Sequence, residues 1–157
     1  MPSLKRLIRR FIRTESGAEL IEFSLTLPLL LLIVLGMIEF GFLFQEYEVV
    51  TNAAREGARI AVLPTYSLND ASARVKQYLT DGGLNSTLAT VSVGAPVSTV
   101  LAAPAAGCVW SVPVTVTYPH PVPFLGGIMS YFGSSFGAIT LKATSKMRTE
   151  APAATCP

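Results

Sequence analysis

The sequence is poor in the side chains on which most enzyme chemistry is built. Its 157 residues include one His, two Cys and one Trp, and only 14% are charged. One His and two Cys are too few for a His/Cys metal cluster, so no metal site, catalytic residue or cofactor is expected. The scarcity of charge, with half the residues hydrophobic and a mean hydropathy of +0.49, excludes a mainly disordered chain. The body also lacks a basic face. Residues 1–16 carry five basic side chains (Lys5, Arg6, Arg9, Arg10, Arg13) against Glu15, whereas from Gly17 onward seven basic residues face nine acidic ones. A nucleic-acid binder concentrates basic residues on its folded part; here they sit in a short leader, so nucleic acid is not an expected partner.

What is abundant is one long apolar run. Phe23–Phe44 contains a single charge, Glu39, near its end. As a helix rising about 1.5 Å per residue, it is long enough for a hydrocarbon core of about 30 Å. The basic flank precedes the run, and Glu46 and Glu48 follow it. The excess of Lys and Arg on one side predicts a single-pass protein of the cytoplasmic (inner) membrane, with a cytoplasmic N-terminus and an extracytoplasmic body. The run is longer than a secretory signal core and has no A-x-A-like site after it, which predicts a retained anchor. Pro28, inside the span, removes one backbone donor; the Ser24 and Thr26 hydroxyls lie within a turn of it and are candidates to satisfy freed carbonyls.

At the mouth of the run stands Glu22, and a carboxylate drawn into hydrocarbon is expensive unless paired. A cut after Gly17 would create an amine on Ala18, four residues before Glu22. That is one helical turn, where side chains meet. The amine could pair with Glu22 of the same chain or of a neighbour. An acid that simply snorkels to water is the other reading.

Gly17, four residues, then Glu22-Phe23 opening an apolar helix resembles the class III signal of type IV pilin-like proteins. The longer pattern resembles the TadE-like family, pseudopilins of the tight-adherence (Tad/Flp) pilus system. It comprises Gly17-Ala18-Glu19-Leu20-Ile21-Glu22-Phe23, Leu27-Pro28-Leu29-Leu30, Gly36-Met37-Ile38-Glu39-Phe40-Gly41 and Thr51-Asn52-Ala53-Ala54-Arg55-Glu56-Gly57-Ala58-Arg59. The resemblance implies that Gly17 is the last leader residue, cut by a prepilin peptidase, and that Ala18 is the new N-terminus. It also implies that Glu22, beside Phe23, is the carboxylate used in processing or assembly. The implied partners are the membrane, the peptidase, other pilin-like subunits and the pilus assembly platform, with no small-molecule substrate. Major Flp pilins usually carry Tyr where this chain has Phe23, and they are much shorter, so the pseudopilin reading is favoured over the major pilin. An ordinary single-pass anchored binding domain without leader processing is the alternative.

No strong breaker occurs between Phe44 and Pro64. The helix is therefore expected to continue outward as a stalk to Leu63, about 69 Å from Ala18 if fully helical. Tyr47, Val50, Ala54, Ala58 and Ala61 share a face. Ala54, Gly57 and Ala58 would let another backbone approach closely, from a partner helix or from the protein's own outer sheet.

Beyond Pro64, Ser67–Leu79 reads as a short helix capped by Ser67 or Asn69. Asp81-Gly82-Gly83 stops it. Leu88–Val93, Cys108–Tyr118 and Gly137–Thr149 alternate as strands. Ala95–Gly107, the Pro-rich Pro119–Gly127 and the greasy Phe124–Phe136 read as loops, and His120 as an incidental loop histidine. Pro113 marks an edge strand or a bulge. The expected fold is α+β: a long N-terminal membrane-spanning helix continuing into a stalk, with about three antiparallel strands and a short helix packed against it. The expected segments are a leader 1–17, a helix and stalk 18–63 and an extracytoplasmic domain 64–157. Cys108 and Cys156 could bond in an oxidising compartment, or remain separate thiols.

Overall fold

In a computed structural model the protein is described at residues 15–100, 108–131, 133 and 137–149. The leader before Glu15, the segment 101–107, Phe132, Phe136 and Cys156 lie outside the described residues. The chain divides into two compact units, Met1–Phe40 and Gly41–Pro157. Helix α1 (Glu15–Ala61) contributes to both and runs through Pro28 without a break. Proline withholds the amide that the carbonyl four residues earlier would accept, here that of Ser24. The Thr26 hydroxyl does not replace it: it donates to the carbonyls of Glu22 (3.0 Å) and Phe23 (3.2 Å) instead.

Within the first unit the large apolar side chains of α1 are turned outward. Leu20, Phe23, Leu25, Met37 and Phe40 are all at least 60% exposed. Of the most apolar window of this helix only 6% is buried. A water-soluble core helix would bury that surface. This helix is long and apolar enough to cross a membrane and fits a single-pass membrane protein.

The second unit is an α+β domain. The last part of α1 packs on helix α2 (Leu68–Asp81) and on a sheet of strands β1 (Thr90–Val93), β2 (Val97–Val100), β3 (Cys108–His120) and β4 (Ile139–Arg148); a short helix α3 (Pro123–Tyr131) joins β3 to β4. Helix α2 begins with a capping box. The Asp70 amide donates to Ser67 Oγ (3.2 Å), while Asp70 Oδ2 accepts from the Ser67 amide and hydroxyl (2.7 Å each). These bonds satisfy donors that a helix start leaves open.

The sheet has β3 at its centre. One edge of β3 pairs antiparallel with β4 from Ser111↔Arg148 to His120↔Ile139. The other edge pairs first with β2 (Val100↔Cys108 to Val97↔Ser111) and then with β1 (Val93↔Val114 to Thr90↔Thr117). β1 and β2 are thus one edge row broken at 94–96, and the register shifts there by one residue, as in a bulge. The break explains how a central strand holds Pro113. In a strand the N–H and C=O of one residue point to the same edge. Gly94 donates its amide to the Pro113 carbonyl (2.8 Å), so the donor that Pro113 lacks faces the broken row. A Cβ at Gly94 would stand 2.7 Å from Pro113 Cγ, which restricts the position to glycine. Pro113 therefore marks a bulge opposite a central strand and not an edge strand.

Alternation holds along the sheet. Val112, Val114, Val116, Tyr118 and His120 are buried, with Leu141 and Ala143 beside them on β4. Val114, Val116, Tyr118, Leu141 and Ala143 form one core with Val50, Ala53, Ala54 and Ala58 of α1 and Val75 and Leu79 of α2. Three segments read as loops are partly regular. Val97–Val100 is β2, β3 runs on through Pro119 to His120, and Pro123–Tyr131 is helical. Proline removes no helical bond at the first helical position and its fixed φ suits it, so Pro123 can open α3.

Candidate functional site

The residues expected at the processing site lie on α1. Gly17 is half-buried, and Ala18, Glu22 and Phe23 are exposed. Ala18 and Glu22 are one turn apart on the same helix, so an amine at 18 and a carboxylate at 22 would share a face. Glu39, the acid inside the apolar run, is buried (4% exposed) and is the exception to the outward-turned surface around it.

The expected helix-packing face is occupied within the chain. Ala54 and Ala58 are buried. A Cβ at Gly57 would collide with Val75 Cγ2 of α2 and stand 3.3 Å from Val114 Cγ1 of β3. The small residues admit α2 and the sheet, so Ala54, Gly57 and Ala58 are not presented to a partner helix. On the flank, Glu56 bridges Arg74 of α2 (3.2 Å) and Arg59 one turn on (3.4 Å).

The packing also fixes levels along α1. Gly82, at the end of α2, stands against Val49, Arg74 meets Glu56 and Val75 meets Gly57, so α2 runs antiparallel to α1. β3 does likewise: Val114 is level with Gly57, and His120 Nδ1 is 2.8 Å from Glu46 Oε2. The two spans agree in length. Eleven residues of helix rise about 16 Å, and six residues of strand about 20 Å.

This Glu46–His120 pair corrects the reading of His120 as an incidental loop residue. His120 is 3% exposed, ends the buried row of β3 and ties the sheet to α1. A signal was present in the sequence: position 120 continues the even-numbered series 112, 114, 116 and 118. A buried polar ring requires a partner, and Glu46 provides one from 74 residues away.

Cys108, at the start of β3, is disulfide-bonded; its expected partner, Cys156, lies outside the described residues. Among the described residues, no group of three or more His, Cys, Asp or Glu side chains is placed to hold a metal ion.

No curated protein and no solved structure matches the chain. A family model does: residues 17–59 match that of the TadE-like protein, so this segment, from the expected processing glycine through the small-residue face, is similar to the family whose motifs it carries.

Proposed function

We propose that the chain is a pseudopilin, a minor pilin-like subunit for assembly of a Tad/Flp-type adhesive pilus. Its role is structural and not catalytic. In this reading the basic leader holds the N-terminus on the cytoplasmic side of the inner membrane. A prepilin peptidase removes residues 1–17, and the new Ala18 amine is neutralised by Glu22 of its own chain or of a neighbouring subunit. The body faces outward, where oxidising conditions would allow Cys108 to bond to Cys156.

The observation that carries the reading is the family match that begins at Gly17, together with an exposed Glu22 one turn beyond Ala18. The packing of the second unit refines it. Because Ala54, Gly57 and Ala58 are covered by the chain's own body, lateral assembly falls to the exposed Leu and Phe surface of α1 between Ala18 and Phe40. The pilus assembly platform and other pilin-like subunits are the partners this implies.

Glu22→Gln tests the reading, because it keeps shape and removes charge. In cells that make the pilus machinery, the variant is expected to reach the membrane normally. Its co-purification with other pilin-like subunits is expected to fall at least tenfold, the equivalent of about 1.4 kcal/mol. Unchanged recovery of the complex would favour a plain anchored binding domain.

A further inference from the structure

We propose that one end of the second unit, formed by α3 and the Phe42–Phe44 turn of α1, rests on the lipid surface at the boundary between headgroups and acyl chains. Three observations within this unit converge on that end. The first is its level. His120 is bonded to Glu46 and paired with Ile139, so the connection 121–138 leaves and returns at the Glu46 end of the sheet. Pro123 follows His120 by three residues, at most about 10 Å of chain. Phe44 and Phe42 lie about 3 and 6 Å before Glu46 on α1. The apolar run enters the unit at Gly41 by chain continuity, so this is the end at which a membrane helix arrives.

The second observation is surface chemistry. Phe42, Phe44 and Phe124 are 53%, 62% and 42% exposed, and Tyr131 is 88% exposed. No charged residue occurs between His120 and Lys142. Tyr, an apolar ring with a polar tip, gathers at membrane–water boundaries, and Phe is among the side chains that enter the boundary between headgroups and acyl chains. The third is where charge resumes. On α1 Glu46 is drawn inward to His120, Glu48 is exposed about one turn beyond Phe44, and exposed Lys142 is three residues, about 10 Å, along β4 from Ile139. These charges set a shallow water line: the patch enters the boundary and the sheet stays above it.

The inference needs α1 to cross a membrane but needs neither leader removal nor a pilus, so it fails or stands independently of the proposed function. It is tested on the full chain in phosphatidylcholine vesicles whose lipids carry bromine either near the headgroup or near the chain end. Tyr131→Trp adds an indole to the single native Trp110, which pairs with Ser98 toward the opposite end of β3 and gives the baseline. Tyr66→Trp adds one at the exposed turn that follows α1. The added emission of Tyr131→Trp is expected to lose half or more of its intensity with bromine near the headgroup and less with bromine near the chain end. Tyr66→Trp is expected to lose none, and Phe124→Trp to repeat the result for Tyr131→Trp. Quenching of Tyr131→Trp no greater than that of Tyr66→Trp would overturn the proposal. So would shielding that appears only as the protein-to-lipid ratio rises, which would assign the patch to a second copy.

Discussion

The two parts of α1 obey opposite rules while belonging to one continuous helix. Up to Phe40, large side chains such as Leu20, Leu25 and Met37 point outward and are mostly exposed. Beyond Gly41, one face carries Val50, Ala53, Ala54, Gly57 and Ala58, and these residues are buried beneath α2 and the sheet. Apolar content alone does not distinguish them; side-chain size and coverage do. Bulky exposed residues suit a helix whose solvent is hydrocarbon. Small buried residues suit a helix that must let another backbone come close, which here is the chain's own.

That contrast can be broken by substitution, with stability read from thermal unfolding of the full chain in detergent. The largest effect is expected at Leu79, fully buried against the second part of α1: Leu79→Ala should cost about 2–5 kcal/mol, through lost transfer energy and a cavity. Leu30→Ala, at a 57% exposed position of the first part, should stay within about 0.5 kcal/mol. Equal losses would refute the division. Next comes added bulk. Gly57→Leu drives a side chain into Val75 and Val114 and should cost about 1–3 kcal/mol, whereas Gly36→Leu meets no atom within 4 Å of its Cβ and should be silent.

The smallest effect sharpens the account of how α2 is placed against the second part. Ser67→Ala removes the N-cap and should cost about 1 kcal/mol. The amide and hydroxyl of Ser67 hold the Asp70 carboxyl below the ordinary carboxylate range. A carboxyl lowered in the folded state stabilises it above the unfolded pKa, and that contribution is lost as pH falls through the folded value. Melting midpoints measured across the acid range should therefore fall less steeply for Asp70→Asn than for the native chain; parallel curves would show that the capping bond does not hold in solution.

Much of this was legible from local pattern. The 3–4 spacing of Val50, Ala54 and Ala58 marked the buried face of α1, Ser67, one of two cap candidates, the start of α2, and even-numbered residues the inner face of β3. The misses are places where local signals conflict with tertiary pairing. Val97-Ser98-Thr99-Val100 sits among alanines and prolines and becomes a strand because β3 offers an edge to it. Pro119 looks like a terminator, yet its row continues to His120 because Glu46 and Ile139 hold that end. Pro123 and the glycines of α3 mask a helix whose first position suits proline. The covered state of Ala54, Gly57 and Ala58 was open for a similar reason: small residues announce a close approach without saying what approaches. At the proposed processing end the legibility is of another kind, since the Gly17-to-Glu22 spacing suggests a role through resemblance alone and not through packing.

That role is where the account is most exposed. Intact mass and N-terminal sequencing of the protein, extracted from membranes of cells with an active prepilin peptidase, would decide it. The account predicts a mature chain starting at Ala18. A chain that still carries the leader through Gly17 would contradict it.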